Sequence, residues 1–213
     1  MPSVARVLRT AGPRPSRRER RRVETRERIF RAALQLFAQR GFIQTTVEHI
    51  TEAADVGKGT FFNYFPSKEH VFGVMTEIQL GKIGEGVEEA EAGSSSIERV
   101  VERLFHRLAE EPGKSPALAR GLMSALVGSD RVRQLAGEAM AEGRKRLTRI
   151  FSLGQKHGEI RRDRKPQSMA WMFQQTLFGT IVLWTIQPET PLTPRIDQSF
   201  EHFWAAIASR GSR

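Results

Sequence analysis

Lys58, Thr60, Asn63, Tyr64 and Lys68 crowd polar side chains into residues 58–68. Their shared chemistry is hydrogen bonding. Lysine and asparagine can meet base edges, and lysine, threonine and tyrosine can meet phosphate oxygens. Chemistry of other kinds finds no matching set. His49, His70, His106, His157 and His202 have no metal-ligand spacing, and no nucleophile elbow or phosphate-cradling glycine loop appears. The sequence therefore predicts no enzyme, no catalytic residue, no metal site and no cofactor.

The elements that must hold the polar cluster are legible in the apolar spacing. Ile29, Phe30, Ala33, Leu34 and Phe37 share one helical face. Gly41 suits the left-handed position after that helix, and Phe42 can then cover Phe37. Thr45 and Glu48 fit a capping box for a second helix, with Val47, Ile50, Ala53 and Ala54 inward. A turn at Ala54-Asp55-Val56-Gly57 leads to a third helix over about Lys58–Tyr64, whose buried side is Phe61 and Phe65. This is the layout of a helix-turn-helix, in which the later helix enters the DNA major groove.

From about Ile29 to Phe72 the chain resembles the N-terminal domain of the TetR family of bacterial transcriptional regulators. The resemblance rests on Phe37, Gly41-Phe42, Thr45-Thr46-Val47, Ile50, Ala53-Ala54, Val56, Lys58-Gly59-Thr60, Tyr64-Phe65 and Pro66-Ser67-Lys68-Glu69. It implies DNA contacts from Thr45, Thr46, Lys58, Gly59, Thr60, Phe62, Asn63, Tyr64 and Lys68. Four positions depart from the family pattern. Thr51 stands where alanine is common, and Asp55 replaces a turn glycine, which aspartate can do because it tolerates a left-handed backbone. Gly57 replaces a capping serine. Phe62 replaces a tyrosine, so it offers only apolar contact, as to a thymine methyl. Lys68 has a further reason to meet a phosphate, since a cation at a helix start opposes the helix dipole unless an anion binds there. The alternative is a solvated surface lysine. Tyr64 divides between core packing and phosphate contact; Phe61 and Phe65 already fill the buried edge, which favours phosphate.

The charge distribution points the same way. The net charge is +10, and residues 1–28 hold ten Arg against three Glu, or +7, leaving +3 for the rest. Residues 1–22 read as a disordered Arg-rich arm whose Arg17, Arg18, Arg20, Arg21 and Arg22 reach DNA backbone or a minor groove, the alternative being a solvated tail. Residues 23–72 form the helix-turn-helix domain, and 73–210 a helical ligand-binding and dimerisation domain. The fold class is all-α.

Beyond the head, Ile97, Val100, Val101, Leu104, Phe105 and Leu108 keep helical spacing, with Ser95 and Glu98 as a capping box. Further helices are read at Ala117–Val127 and about Asp130–Leu153. Gly73, Gly81, Gly84 and Gly86 weaken the helix starting near Lys68 and predict a bend or break near Gly81–Gly86. The stretch Pro166–Pro188 has no charged residue, but its central Gln and Thr residues disfavour a membrane span. No secretory signal is visible and there is no Cys, which fits a cytoplasmic protein.

The resemblance also implies a homodimer on a palindromic, double-stranded operator and a small apolar or amphipathic effector bound in the C-terminal domain. Candidate pocket residues are Phe105, Leu122, Met123, Leu126, Met140, Trp171, Gln174, Gln175, Phe178 and Trp184. Met and aromatic residues at helical spacing are also ordinary core. A glutamine in an apolar helix needs a partner, which a ligand or a dimer interface can supply. The candidate dimer face is Gly179, Ile196, Phe200, Phe203 and Ile207; the alternative is that these helices complete a monomer core. The function expected is that of a repressor released by a small molecule; the alternative is a nonspecific DNA-packaging protein without a ligand.

Overall fold

The computed structural model describes residues 16–209. Among them the chain forms nine α-helices and no strand; a lone β-bridge joins Ile160 to Ala208. In chain order the helices are α1 (Arg17–Arg40), α2 (Val47–Ala53), α3 (Lys58–Phe62), α4 (Lys68–Ala92), α5 (Ile97–Ala109), α6 (Pro116–Gly128), α7 (Asp130–Lys156), α8 (Pro166–Ile186) and α9 (Leu192–Ile207). A 3-10 turn at Pro112–Lys114 separates α5 from α6. No helix among the described residues is long and apolar enough to cross a membrane.

The chain divides into two compact units. One takes residues up to Ile78 together with Arg120–Ala136; the other takes Gln79–Ala119 and everything from Gly137. Within the first unit two glycines of α6 allow a close approach. A β-carbon on Gly121 would stand 2.4 Å from the Phe37 carbonyl oxygen, and one on Gly128 2.8 Å from Ile43 Cδ1. Ile29, Phe30, Phe37, Phe42, Ile50, Phe61 and Phe65 are fully buried in that unit.

The expected disorder over residues 1–22 is corrected for Arg17–Arg22, which open α1. Ser16 accepts a hydrogen bond from the Glu19 backbone N–H and the Glu19 carboxylate accepts one from Ser16 N–H, so a capping box starts the helix here. Residues 1–15 lie outside the described residues.

In the second unit the core is aromatic. Phe105 packs on Phe173, Phe203 and Phe200 at 4.6, 5.5 and 6.0 Å between ring centroids, and Phe151 adds to the same cluster. Its α5 is capped by Ser96, not Ser95, through the Arg99 backbone N–H. The break expected in α4 is absent, and the helix runs unbroken to Ala92. Gly84 and Gly86 mark close packing instead: β-carbons there would lie 3.2 Å from Arg146 and 3.1 Å from Leu104. Ion pairs of Glu85 with Arg107 and Glu89 with Arg103 tie α4 to α5. Lys82 is buried and donates to the Arg107 carbonyl and Glu110, closing the last turn of α5; burial pushes its pKa below the ordinary lysine value.

Candidate nucleic-acid interface

The geometry of the polar cluster begins with the end of α1. Gly41 adopts φ +78°, its N–H bonds back to the Phe37 carbonyl, and Phe42 turns onto Phe37 at 5.1 Å. The loop then enters α2 one residue later than the capping rule suggested. Thr46, not Thr45, is the cap: its hydroxyl accepts from His49 N–H, and His49 Nδ1 accepts from Thr46 N–H. Histidine thus takes the place of the expected glutamate. Thr45 is fully buried and donates its hydroxyl to the Gly41 carbonyl at 2.8 Å, so it is corrected from a DNA contact to a brace of the loop.

Between α2 and α3 the turn is as the residues dictate. Asp55 is the one non-glycine residue with positive φ among the described residues, at +49°. Gly57 precedes α3 with no side-chain cap. The recognition helix is shorter than expected, ending at Phe62 with Asn63 as its cap. Phe61 and Phe65 face inward, 5.6 Å apart. That leaves Lys58, Gly59, Phe62 and Asn63 exposed and Thr60 and Tyr64 half-buried. Thr46 is exposed at the start of α2. One short helix therefore presents a continuous outer surface on a rigid apolar base, the arrangement a major groove requires.

Lys68 is placed differently from a free phosphate ligand. Its ammonium donates to the carbonyls of Phe42, Ile43 and Thr45 at 3.0, 3.3 and 2.8 Å and sits 4.5 Å from the Phe42 ring centroid. An ammonium has three N–H donors, and all three are used. Lys68 thus clamps the loop between α1 and α2. Partners more than 20 residues away leave no local sequence signal.

Sequence reasoning also missed Glu48. Its carboxylate lies 2.5 Å from Lys58 Nζ, and bonding to Lys58 is the main reason its pKa falls from 4.5 to about 2. Arg17, Arg18, Arg20, Arg21 and Arg22 are exposed along the first turns of α1. Further along α1, Arg26 pairs with Glu77 at 2.9 Å and lies over the Phe65 ring, joining α1 to the base of the recognition helix.

The residues expected to line one effector pocket differ in their surroundings. Phe105 is enclosed by phenylalanines, while Leu122, Met123 and Leu126 belong to the first unit. Met140, Trp171 and Phe178 are exposed, as is Gln175. Gln174 finds its partners in Arg144 and the Met140 carbonyl. Trp184 alone keeps the mark of an incomplete site: it is buried, and its Nε1 has no hydrogen-bond partner.

The expected dimer face is also corrected. Ile196, Phe200, Phe203 and Ile207 are buried within their own chain, where α9 packs on α5 and α8. Gly179 is different, since a β-carbon there would meet nothing within 4 Å. It lies on a face of α8 with Trp171, Phe178, Leu183 and Ile186, all exposed. Among the described residues no group of three or more His, Asp or Glu is placed to hold a metal ion.

Comparison with known proteins agrees with this head. The sequence model for bacterial regulatory proteins of the tetR family matches residues 29–75. The transcriptional regulator TcmR of Streptomyces glaucescens is 47% identical over 57 residues, which is 27% of this chain and 25% of TcmR. The transcriptional repressor DhaR of a Mycobacterium species is 26% identical over 168 residues, covering 78% of this chain and 85% of DhaR. Among solved structures, the TetR-family repressor FadR of Thermus thermophilus, crystallised with lauroyl-CoA, superposes with a TM-score of 0.60 at 29% identity, covering 84% of this chain and 92% of that one. The fold and its head define an all-α protein with an N-terminal helix-turn-helix. Over residues 29–75 the chain is similar to the bacterial regulatory proteins of the tetR family. It spans about a quarter or less of the length of TcmR and of another curated relative, YerO of Bacillus subtilis, so those two matches concern the head alone.

Proposed function

We propose that the chain is a sequence-specific transcriptional repressor that binds a palindromic operator as a homodimer and leaves it when a small apolar or amphipathic molecule binds. The observation that carries this reading is the turn at Asp55, which sets a recognition helix on Phe61 and Phe65 and turns Lys58, Phe62 and Asn63 outward. Paired recognition helices read successive major grooves when they are about 34–36 Å apart.

The dimer would form on the exposed α8 face of Trp171, Phe178, Gly179, Leu183 and Ile186. An uncovered apolar row on a helix of this length favours burial against a copy of itself. Effector release is supported by kinship with FadR, whose crystals hold lauroyl-CoA, and by the unpartnered buried Nε1 of Trp184. A buried donor without a partner is costly, and a ligand acceptor would satisfy it. The effector would favour a dimer with wrongly spaced heads.

Selection of bound sites from random DNA tests the reading. A regulator favours one palindrome by at least about 10³ over random DNA at physiological salt. Equal binding to every sequence would instead identify a packaging protein acting through its arginines.

A further inference from the structure

Glu48 and Lys58 come from different helices yet meet on the surface that the recognition helix presents. Their charged groups are 2.5 Å apart, and their side chains keep 59% and 58% of their exposure. Neither charge is therefore held by burial, and the pair is free to face a ligand. A carboxylate on this surface repels phosphates, so a backbone contact is a poor use of the pair. Base edges are another matter, because they carry donors as well as acceptors.

We propose that Glu48 and Lys58 together read one G·C base pair in each half-site, with Lys58 on the guanine and Glu48 on the cytosine. The atom accounting closes. Of the three Lys58 N–H donors, one stays on Glu48 and two meet guanine N7 and O6. The Glu48 carboxylate has lone pairs to spare and accepts from cytosine N4–H. Guanine O6 and cytosine N4 are themselves hydrogen-bond partners, at about 2.9 Å. Two protein groups spaced as bonding partners thus face two base atoms spaced the same way, with donor set against acceptor on both sides.

An A·T pair breaks the match. The acceptor O6 is replaced by the adenine N6 amino group, a donor that would face the Lys58 ammonium, while Glu48 would meet the thymine O4 acceptor. The reversed pair, C·G, sets donor against donor as well. Hence the preference is directional: T·A keeps an acceptor (O4) before Lys58 and a donor (N6–H) before Glu48 but lacks the second acceptor that guanine N7 supplies, so it ranks below G·C and above the other two pairs. The ordering of Glu48 beside Lys58, which holds its carboxyl ionised down to about pH 2, keeps the acceptor competent at any working pH.

The inference rests on the proposed reading that the chain binds an operator. Site selection with the full chain and with E48Q, K58M and the exchanged E48K/K58E tests it. The wild type should prefer G·C at one position of each half-site, with roughly 5- to 150-fold discrimination against A·T and C·G and a smaller one against T·A. E48Q and K58M should both relax that same position, and the exchange should turn its preference to C·G. If E48Q tightens binding to every sequence and steepens the salt dependence while the selected site stays unchanged, Glu48 merely masks Lys58 and the proposal is overturned. It is overturned equally if both single variants select the wild-type site. A wild type that selects no site at all removes the regulator reading itself, a different failure from a selected site indifferent to Glu48.

Discussion

A β-carbon on Gly121 would stand 2.4 Å from the carbonyl oxygen of Phe37, so α6 and α1 meet backbone to backbone at this point. The obstacle is main chain, which cannot rotate away. Gly121→Ala should therefore destabilise the first unit by roughly 1–3 kcal/mol, as overpacking does. Gly137, on the open side of α7 with nothing within 4 Å of a β-carbon, provides the opposite case. There Gly→Ala should stabilise by about 0.5–1 kcal/mol through the unfolded chain. Denaturant unfolding of the two variants checks the sign; the same sign for both would contradict the close approach.

These two glycines show where sequence patterns stop. Local rules reach Phe37 with Phe42, Phe61 with Phe65, and the left-handed Asp55, because each depends on neighbours a few residues away. The α2 cap slipped by one residue, since Thr45 and Thr46 are alike and His49 can do what Glu48 was expected to do. Lys68, Gly121 and the Glu48–Lys58 pair depend on partners 10 to 84 residues distant, which spacing cannot disclose. The α8 and α9 faces were misassigned for a related reason. Helix α8 is apolar nearly all round, so its sequence does not say which side meets its own chain and which stays open. Phe105 read equally well as a pocket wall and as core, and the surrounding rings decide for core.

Lys68→Met separates a clamp from a phosphate ligand. Removing the ammonium leaves the Phe42, Ile43 and Thr45 carbonyls without their shared donor. The expected loss of stability is about 1–3 kcal/mol, since bonds from a charged donor exceed neutral ones. Operator affinity should fall because the entry to α2 loosens, yet the salt dependence should keep its slope. A slope lower by about one charge, with unchanged unfolding, would restore the phosphate role.

The Glu48 carboxyl gives a direct reading of its pairing. Its folded value of about 2 lies below the ordinary 4.5, so the pairing is complete above 4.5 and is lost as pH falls through about 2. Because both groups are exposed, the effect on unfolding should be small and weaker in salt. Carboxyl-resolved NMR titration is the appropriate measurement. In K58M the titration should move up toward 4.5, because Lys58 is the largest cause of the depression. An unmoved midpoint would mean that the pair does not form in solution.

Leu183→Glu tests the proposed dimer face. Leu183 is 59% exposed, so the substitution leaves the chain's own core intact. A charge in the middle of an apolar interface should convert dimer to monomer in sedimentation and cut operator affinity by at least about 100-fold, while thermal unfolding of the monomer stays cooperative. Phe203→Glu should behave differently, because Phe203 is buried among Phe105, Phe151 and Phe173, and that variant should fail to fold. A stable L183E dimer would move the interface elsewhere.

Finally, the arginines that open α1 should supply much of the electrostatic affinity. Arg31, Arg40, Lys58 and Lys68 are offset by Glu48, Glu52, Asp55 and Glu69 across residues 29–72, so the reader core has no net charge. Arg17, Arg18, Arg20, Arg21 and Arg22 stand exposed on helix instead of on a loose arm. A helix fixes their directions, so only those on the DNA side can reach phosphates, and the rest stay in solvent. Replacing all five with alanine preserves helix propensity and the Ser16 cap, which isolates charge from structure. The salt slope should fall by about 0.9 for every arginine that meets a phosphate in the wild type, and affinity at low salt should drop for all sequences while the preferred site stays the same. Ser16→Ala removes the cap and keeps the charges; it should lower affinity less than the five-alanine variant, by an amount tied to about 0.5–2 kcal/mol of helix stability. If the five-alanine variant keeps the wild-type slope, the arginines do not touch DNA.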